Sequence, residues 1–91
     1  MAIYNFAKAA DRARCRAARQ AEIAAIDAGT WPRDIDDAMR WGATKCFPSV
    51  AARAAFAREM CASEVAYVDG VDARIRAGDP SVSDWEVSHG S

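Results

Sequence analysis

The residues SVAARAAFAREMCASEVAYVDGVDARIRAG, from Ser49 to Gly78, decide the fold of this 91-residue chain. Pro48 stops any helix before this stretch, and Ser49 is a residue type that caps helix N-termini. At the other end, Gly78 is a typical helix terminator because glycine readily adopts the left-handed conformation. The stretch therefore predicts one helix of about eight turns, about 42 Å long. Gly70 costs about 1 kcal/mol relative to alanine in a helix interior, so a break near Gly70 is the alternative.

One side of this helix is apolar. Positions spaced alternately by four and three residues carry mostly apolar side chains, and this spacing predicts the face that packs inward. The positions are Val50, Ala54, Ala57, Cys61, Glu64, Val68, Val71 and Ile75, and Phe56, Met60 and Tyr67 broaden the face along one edge. Glu64 is the only carboxylate in the line. We expect it to pair with a cation of another helix, for example one from the basic N-terminal region, because a buried charge needs a partner.

The N-terminal region predicts a second long helix, which begins near Asn5, a good capping residue, and ends at Ala28 before Gly29. An alanine line follows the same four-and-three spacing: Phe6, Ala10, Ala13, Ala17, Ala21, Ala24 and Ala28. Small side chains let another helix approach to an axial distance of about 8 Å. We therefore expect the alanine line to pack against the bulky face of the long helix. The alternative is an antiparallel homodimer through the alanine lines of two copies.

A basic stripe occupies a different flank of the N-terminal helix. It consists of Lys8, Arg12, Arg16 and Arg19, and Ile23 and Ile26 continue the same flank. Residues 1–20 hold five cations and one carboxylate, whereas residues 21–91 hold seven cations and twelve carboxylates, so the net charges are +4 and −5. A solvated face is the simpler interpretation of the stripe, and a binding surface for an anionic partner is the alternative. The two isoleucines indicate that this flank is not wholly exposed.

A third helix is predicted over about residues 31–46, with Thr30 or Asp34 as its cap and Pro32 in its first turn. Its inward line would consist of Trp31, Ile35, Met39, Gly42 and Cys46. Trp41 points away from that line. Covering an edge of the core is the favoured interpretation of Trp41, and anchoring a partner is the alternative, because tryptophan is enriched at interface hot spots.

Together these elements predict a single all-α domain over residues 1–91. It is a small bundle of three helices, at about 5–28, 31–46 and 49–77. A short C-terminal turn or an extended tail follows, because Ser83 and Glu86 have capping-box spacing around Trp85. The chain has 22 alanines and no leucine. Because alanine buries little apolar area, we expect modest stability and a contribution from self-association or a partner.

The residue types that carry chemistry are sparse. Cys15, Cys46 and Cys61 are odd in number and far apart, which is typical of a protein from a reducing compartment rather than of a zinc site. No signal peptide or membrane-spanning segment is evident, so we expect a cytoplasmic protein. His89 is the only histidine and lies near the C-terminus, which leaves a nucleophile without an evident base. We therefore expect no catalytic, cofactor or metal site. Cys15 is the strongest candidate for a reactive thiol because cations of the basic stripe flank it.

These observations favour a small, non-enzymatic helical module that binds a larger protein assembly or itself. Short, motif-free chains rich in alanine and arginine are common among accessory proteins of phages and mobile elements, including inhibitors of bacterial defence complexes of the anti-CRISPR kind. The candidate partner-binding residues are Lys8, Arg12, Arg16, Arg19 and Trp41. The alternative is a nucleic-acid-binding accessory protein whose basic stripe contacts phosphates, although the acidic remainder of the chain would repel a duplex. We expect no membrane partner.

Overall fold

In the computed structural model, which describes residues 4–41 and 47–80, the chain forms three helices and no strand. The helices are α1 (Ala9–Ala28), α2 (Ile35–Arg40) and α3 (Val50–Arg76). The all-α class predicted from the sequence is confirmed, and the arrangement is consistent with a three-helix bundle. The predictions for Gly42, Cys46 and the C-terminal tail, including Trp85 and His89, lie outside the described residues.

The two long helices, α1 and α3, lie side by side and run in opposite directions. Ion pairs fix this orientation: Arg12 near the start of α1 contacts Asp72 near the end of α3. At the other end of the pair, Asp27 of α1 contacts Arg58 of α3. The short helix α2 packs at that second end, where Arg53 of α3 donates a hydrogen bond to a carbonyl oxygen of α2.

The predicted bounds of α3 are almost those observed. The Ser49 side chain accepts a hydrogen bond from the N–H of Ala52 at 3.1 Å, and Gly78 has a φ of 72° just beyond the helix. The helix is continuous through Gly70. Most of the predicted inward line is buried or half-buried, but Val50 is 57% exposed. Val50 differs because it lies beyond the end of α1. Asp27, next to the last residue of α1, contacts Arg58 of α3. From Arg58 back to Val50, α3 extends for about 12 Å.

The observed α1 starts later than predicted. It begins at Ala9, and Lys8 occupies the N-cap position without a side-chain capping hydrogen bond. Asn5 instead closes a turn before the helix, because its Oδ1 accepts from the N–H of Ala7 and its carbonyl oxygen from the N–H of Lys8. The C-terminal end agrees with the prediction, since Gly29 has a φ of 78° and ends the helix.

The face that α1 turns towards α3 is opposite to the predicted one. The expectation that the alanine line packs against α3 is wrong. The buried residues of α1 are Arg12, Cys15, Arg19, Glu22 and Ala25, whereas Ala10, Ala13, Ala17, Ala21, Ala24 and Ala28 are all exposed. The physical reason is that arginine and glutamate stems bury more apolar area than an alanine methyl group, while carboxylates on α3 neutralise the arginine heads.

The helix α2 is six residues long, whereas the prediction was residues 31–46. Asp34 caps it, accepting a hydrogen bond from the N–H of Asp37 at 2.9 Å. Ile35 and Met39 were expected to face inward but are 69% and 61% exposed, so this prediction is wrong. Asp37 on the opposite side of α2 is buried instead, held by ion pairs with Arg33 and Arg40. Arg40 also donates a hydrogen bond to the buried Glu22 of α1, and this contact explains why α2 turns its polar side inward.

A small apolar core lies where the three helices meet. Ala25, Trp31 and Ala57 form its buried centre, and Ile26, Trp41 and Ala54 pack against it. Next to this core, the rings of Phe47 and Phe56 lie 5.5 Å apart between their centroids. The space beside Trp31 amounts to about 10 Å³, which is room for about one water molecule.

Candidate protein-interaction surface

The basic stripe lies largely against α3. Arg12 is 3% exposed and donates to Asp72, while the half-buried Arg16 contacts both Asp69 and Asp72. Burial raises the pKa of Asp72, but the hydrogen bonds from Arg12 and Arg16 outweigh it, so this pKa lies below its usual value. The positive charge of this part of the stripe is therefore paired with carboxylates of the same chain.

Glu22 is the centre of a buried polar network. Its carboxylate is completely buried, and Oε2 accepts hydrogen bonds from the indole N–H groups of Trp31 at 3.1 Å and Trp41 at 3.0 Å. Its other oxygen, Oε1, accepts from Arg40 at 2.8 Å and forms an ion pair with Arg19 at 3.4 Å. One side chain of α1 thus holds both tryptophans and, through Arg40, the helix α2.

Glu64 joins the other side of this network. Its Oε1 accepts a hydrogen bond from the Cys15 thiol at 3.0 Å and lies 3.8 Å from Nε of Arg19. The prediction that Glu64 pairs with a cation of the basic N-terminal region is therefore confirmed. Arg19 lies between two carboxylates, Glu22 from its own helix and Glu64 from α3, and this arrangement fixes how the two helices are aligned.

Both described thiols belong to this interior. Burial raises the pKa of Cys15 to about 12, and the hydrogen bond to Glu64 adds to the effect. Burial and the neighbouring Glu22 raise the pKa of Cys61 to about 12 in the same way. Cys15 has no exposed surface, so the expectation that it is a reactive thiol is wrong. The nearby Arg16 and Arg19 do not activate it, because burial and the Glu64 carboxylate raise the pKa of the thiol by more than these arginines lower it.

The remaining candidate binding residues are also engaged within the chain. The half-buried Trp41 donates to Glu22, and the Arg19 guanidinium lies 5.6 Å from its ring centroid. Trp41 therefore covers the core, which is the favoured of the two predictions. Lys8 is half-buried at the start of α1. A partner-binding role for these residues stays a prediction, but the contacts of Arg12, Arg16, Arg19 and Trp41 are made inside the fold.

The surface that remains open on α1 is its alanine line. These alanines form an uncharged face that is about 27 Å long by helical rise. The predicted packing partner within the chain does not cover this face. Self-association through the alanine line, the alternative stated above, stays a prediction.

A second line with four-and-three spacing runs along α3, on the side of the molecule where α2 packs. Its members are Phe56, Met60, Ser63, Tyr67, Gly70 and Arg74. Phe56 packs against Phe47, and the ring of Tyr67 lies 5.6 Å from that of Phe6 between their centroids. The helix α2 contacts α3 through Arg53, which precedes the first residue of the line.

Within residues 4–41 and 47–80, no helix covers most of this second line. Tyr67 is 55% exposed, Met60 is 36% exposed, and Ser63, Gly70 and Arg74 are exposed as well. We call these five residues the open stripe. The sequence indicated that Met60 and Tyr67 broaden an apolar face, but it did not show that the described helices would leave them exposed.

Nothing in the part of the chain that the structure describes requires glycine at position 70. It lies inside a continuous helix, does not have a positive φ, and a Cβ added to it would meet no atom within 4 Å. Glycine in a helix interior costs about 1 kcal/mol relative to alanine. A glycine on an open helix surface suits the close approach of another backbone.

A separate apolar depression lies beyond the end of α1, over the first turns of α3. Its volume is about 520 Å³, and the residues that line it include Ile26, Trp31 and Val50. Arg58, at its edge, forms an ion pair with Asp27. The depression is open to solvent, so it is a surface feature and not an enclosed substrate pocket.

Comparisons with known proteins identify no relative: no family model, curated protein or solved structure matches the chain. None of the helices in the described parts of the chain is long and apolar enough to cross a membrane. Residues 4–41 and 47–80 also contain no group of three or more His, Cys, Asp or Glu side chains that could hold a metal ion.

Proposed function

We propose that this protein is a non-enzymatic helical interaction module whose binding surface is the open stripe of α3. The observation that carries the proposal is the exposure of Met60 and Tyr67 on a helix whose other apolar line is already used against α1. Tyrosine, methionine and arginine are enriched at protein interfaces, and the stripe contains all three. Gly70 adds a place where a partner backbone can approach closely.

The chemistry of the interior supports the non-enzymatic part of the proposal. The described thiols, Cys15 and Cys61, are buried and have raised pKa values. The buried carboxylate of Glu22 accepts hydrogen bonds from groups of its own chain. The space beside Trp31 is only about 10 Å³, and the larger depression over the first turns of α3 is open to solvent, unlike the concave pockets that bury most of a small ligand.

The other functional hypotheses receive less support. Nucleic-acid binding by the basic stripe would require Arg12 and Arg16 to give up their ion pairs with α3. An inhibitor of a bacterial defence complex, encoded by a phage or mobile element, is one form that such an interaction module takes. That narrower assignment rests on size and composition alone.

Site-specific photo-crosslinking tests the proposed surface. A photoreactive amino acid is placed at Tyr67 in the open stripe or, as the matched control, at Ala73, which is exposed on a different side of α3. Both variants are irradiated in the native host and the cross-linked products are identified by mass spectrometry. We expect a defined protein adduct from position 67 and none from position 73. Equal yields from both positions, or no adduct from either, would contradict the proposal.

A further inference from the structure

We propose that the open stripe binds a second copy of this chain, through an antiparallel contact between the two α3 helices. This inference rests on the proposed function, because it assigns an occupant to the same stripe. Its basis is that the stripe is complementary to itself when its direction is reversed. The order of large and small side chains, the position of the glycine and the charges at the ends all match in this arrangement.

Large and small side chains alternate along the stripe so that two reversed copies interlock. If the two-fold axis is level with Val65, each residue faces the position equally far from Val65 on the other helix. Tyr67 then faces Ser63 of the second copy, and Met60 faces Gly70 of the second copy. By symmetry this gives four layers, and every layer pairs a large residue with a small one, as closely packed helices require.

The same register accounts for Gly70. Within one chain a Cβ at this position would meet open space, so glycine lowers helix stability without a benefit inside the fold. In the antiparallel contact, Gly70 is the small residue that receives Met60 of the second copy. Its missing side chain is then what lets the two helices approach. A partner other than a second copy would not require this match between Gly70 and Met60.

Charges at the two ends of the stripe are complementary in this arrangement. Arg74 is level with Phe56 of the second copy, and Glu59 of the second copy lies within one helical turn of that level. Arg74 and Glu59 are both exposed, and neither makes an ion pair in the part of the chain that the structure describes. Arg74 can thus reach a phenylalanine ring and a carboxylate of the second copy. The two-fold axis repeats this contact at the other end.

The contact is short, which sets its expected strength. The four layers span about 15 Å of helix, so the buried area falls in the class of small, transient interfaces. We therefore expect a reversible dimer with a dissociation constant of about 10 μM to 1 mM. Monomer and dimer would exchange as the concentration changes.

Sedimentation equilibrium of the full-length chain, at concentrations up to about 1 mM, measures this association. The central variant is Gly70→Gln, and the matched control is Ala73→Gln, which adds a similar group on a different side of α3. Gly70→Gln should raise the melting temperature, because glutamine is the better helix former. It should also weaken the dimer about tenfold or more, because the side chain fills the space for Met60. Ala73→Gln should leave the dissociation constant unchanged.

A charge exchange tests the register. Arg74→Glu and Glu59→Lys should each weaken self-association by about twofold to fivefold, as expected for exposed ion pairs. An equimolar mixture of the two variants should restore it, because each heterodimer then contains two attractive pairs. A mixture that stays as weak as either variant alone would overturn the register.

The possible results separate this inference from the proposed function. A chain that stays monomeric at every concentration overturns the self-association, while a cross-link from Tyr67 to a different protein leaves the interaction module standing. If Gly70→Gln leaves the dissociation constant unchanged but Ala17→Glu abolishes the dimer, the contact lies on the alanine line of α1 and the inference is overturned. Absence of any adduct from Tyr67, including one to the chain itself, would contradict both.

Discussion

Replacing Glu22 by glutamine should destabilise the protein strongly while keeping the side-chain volume. The carboxylate is fully buried and accepts three hydrogen bonds, from two indole N–H groups on one oxygen and from Arg40 on the other, which also forms an ion pair with Arg19. The amide of Glu22→Gln has one oxygen and one NH₂ group, so the donors on one side lose their acceptor in either orientation. Leaving a buried donor unsatisfied costs about 1–3 kcal/mol, and removing one partner of a buried ion pair costs about 3–5 kcal/mol.

We expect the free energy of unfolding to fall by about 3 kcal/mol, the lower end of the ion-pair range. The lower end applies because Arg40 keeps its ion pair with Asp37 and Arg19 keeps its ion pair with Glu64. Urea unfolding followed by tryptophan fluorescence measures this loss. A Trp85→Phe background makes the emission report on Trp31 and Trp41, the two indoles bound to the carboxylate. The urea midpoint should fall by about 1–3 M, given the usual slope for small domains.

The same substitution at an exposed site is the control for this experiment. Glu59→Gln on α3 should change the free energy of unfolding by less than about 0.5 kcal/mol. If Glu22→Gln is as mild as Glu59→Gln, the carboxylate of Glu22 is not the buried centre of the network, and the orientation of α1 described here is wrong.

Gly70→Ala should raise the free energy of unfolding by about 0.5–1 kcal/mol in thermal or urea unfolding, because the added methyl meets open space. The folded-state pKa values of Cys15 and Cys61 are raised from 9.0 to about 12. The stability that the buried, protonated thiols contribute is therefore present below pH 9 and is lost as the pH rises from 9 to 12. At pH 10 the free energy of unfolding should be lower by about 1.4 kcal/mol per thiol. Urea unfolding at pH 7 and pH 10 measures this loss. The variant that carries both Cys15→Ala and Cys61→Ala should not show it. Hydrogen bonds from Arg33 hold the pKa of Asp37 far below its usual value of 3.8. Stability should therefore fall as the pH drops below about 4, and Asp37→Asn should flatten this part of a melting-temperature profile.

The ends of the long helices could be predicted from local sequence. Ser49, Gly29 and Gly78 act through hydrogen bonds and backbone conformations that involve only neighbouring residues. The inward line of α3 was also predictable because its larger side chains recur at helical spacing. Val50 is the exception, since its exposure depends on where α1 ends, and that is a tertiary feature.

The orientation of α1 could not be read from hydrophobicity alone. Alanine counts as apolar in such patterns, but its methyl group contributes little to burial. The decisive information lay in the complementary charges on the other helix, where Asp72 and Glu64 are spaced to meet Arg12 and Arg19. Ile23, on the basic flank, was the signal within α1 that this side is not fully solvated.

The open stripe could be predicted only in part from the sequence. Met60 and Tyr67 were identified as apolar residues at helical spacing, which fits a core position as well as an interface. With α2 limited to six residues, Met60 is 36% exposed and Tyr67 is 55% exposed in the part of the chain that the structure describes, and this exposure distinguishes the two. The bounds of α2 depend on the ion pairs of Asp37 and on the contacts of Glu22, which span up to nineteen positions of the sequence.

Alkylation of cysteine thiols under native conditions tests the orientation of α1 most directly. In a Cys46→Ser background, peptide mass spectrometry follows the native thiol of Cys15 and, in a second variant, the thiol introduced by Ala17→Cys. The orientation described here predicts that position 17 reacts as fast as an unfolded peptide and that Cys15 reacts at least about a hundredfold more slowly, because it must wait for the helices to open. Rapid alkylation of Cys15 together with protection at position 17 would show that the alanine line is buried and would contradict the account.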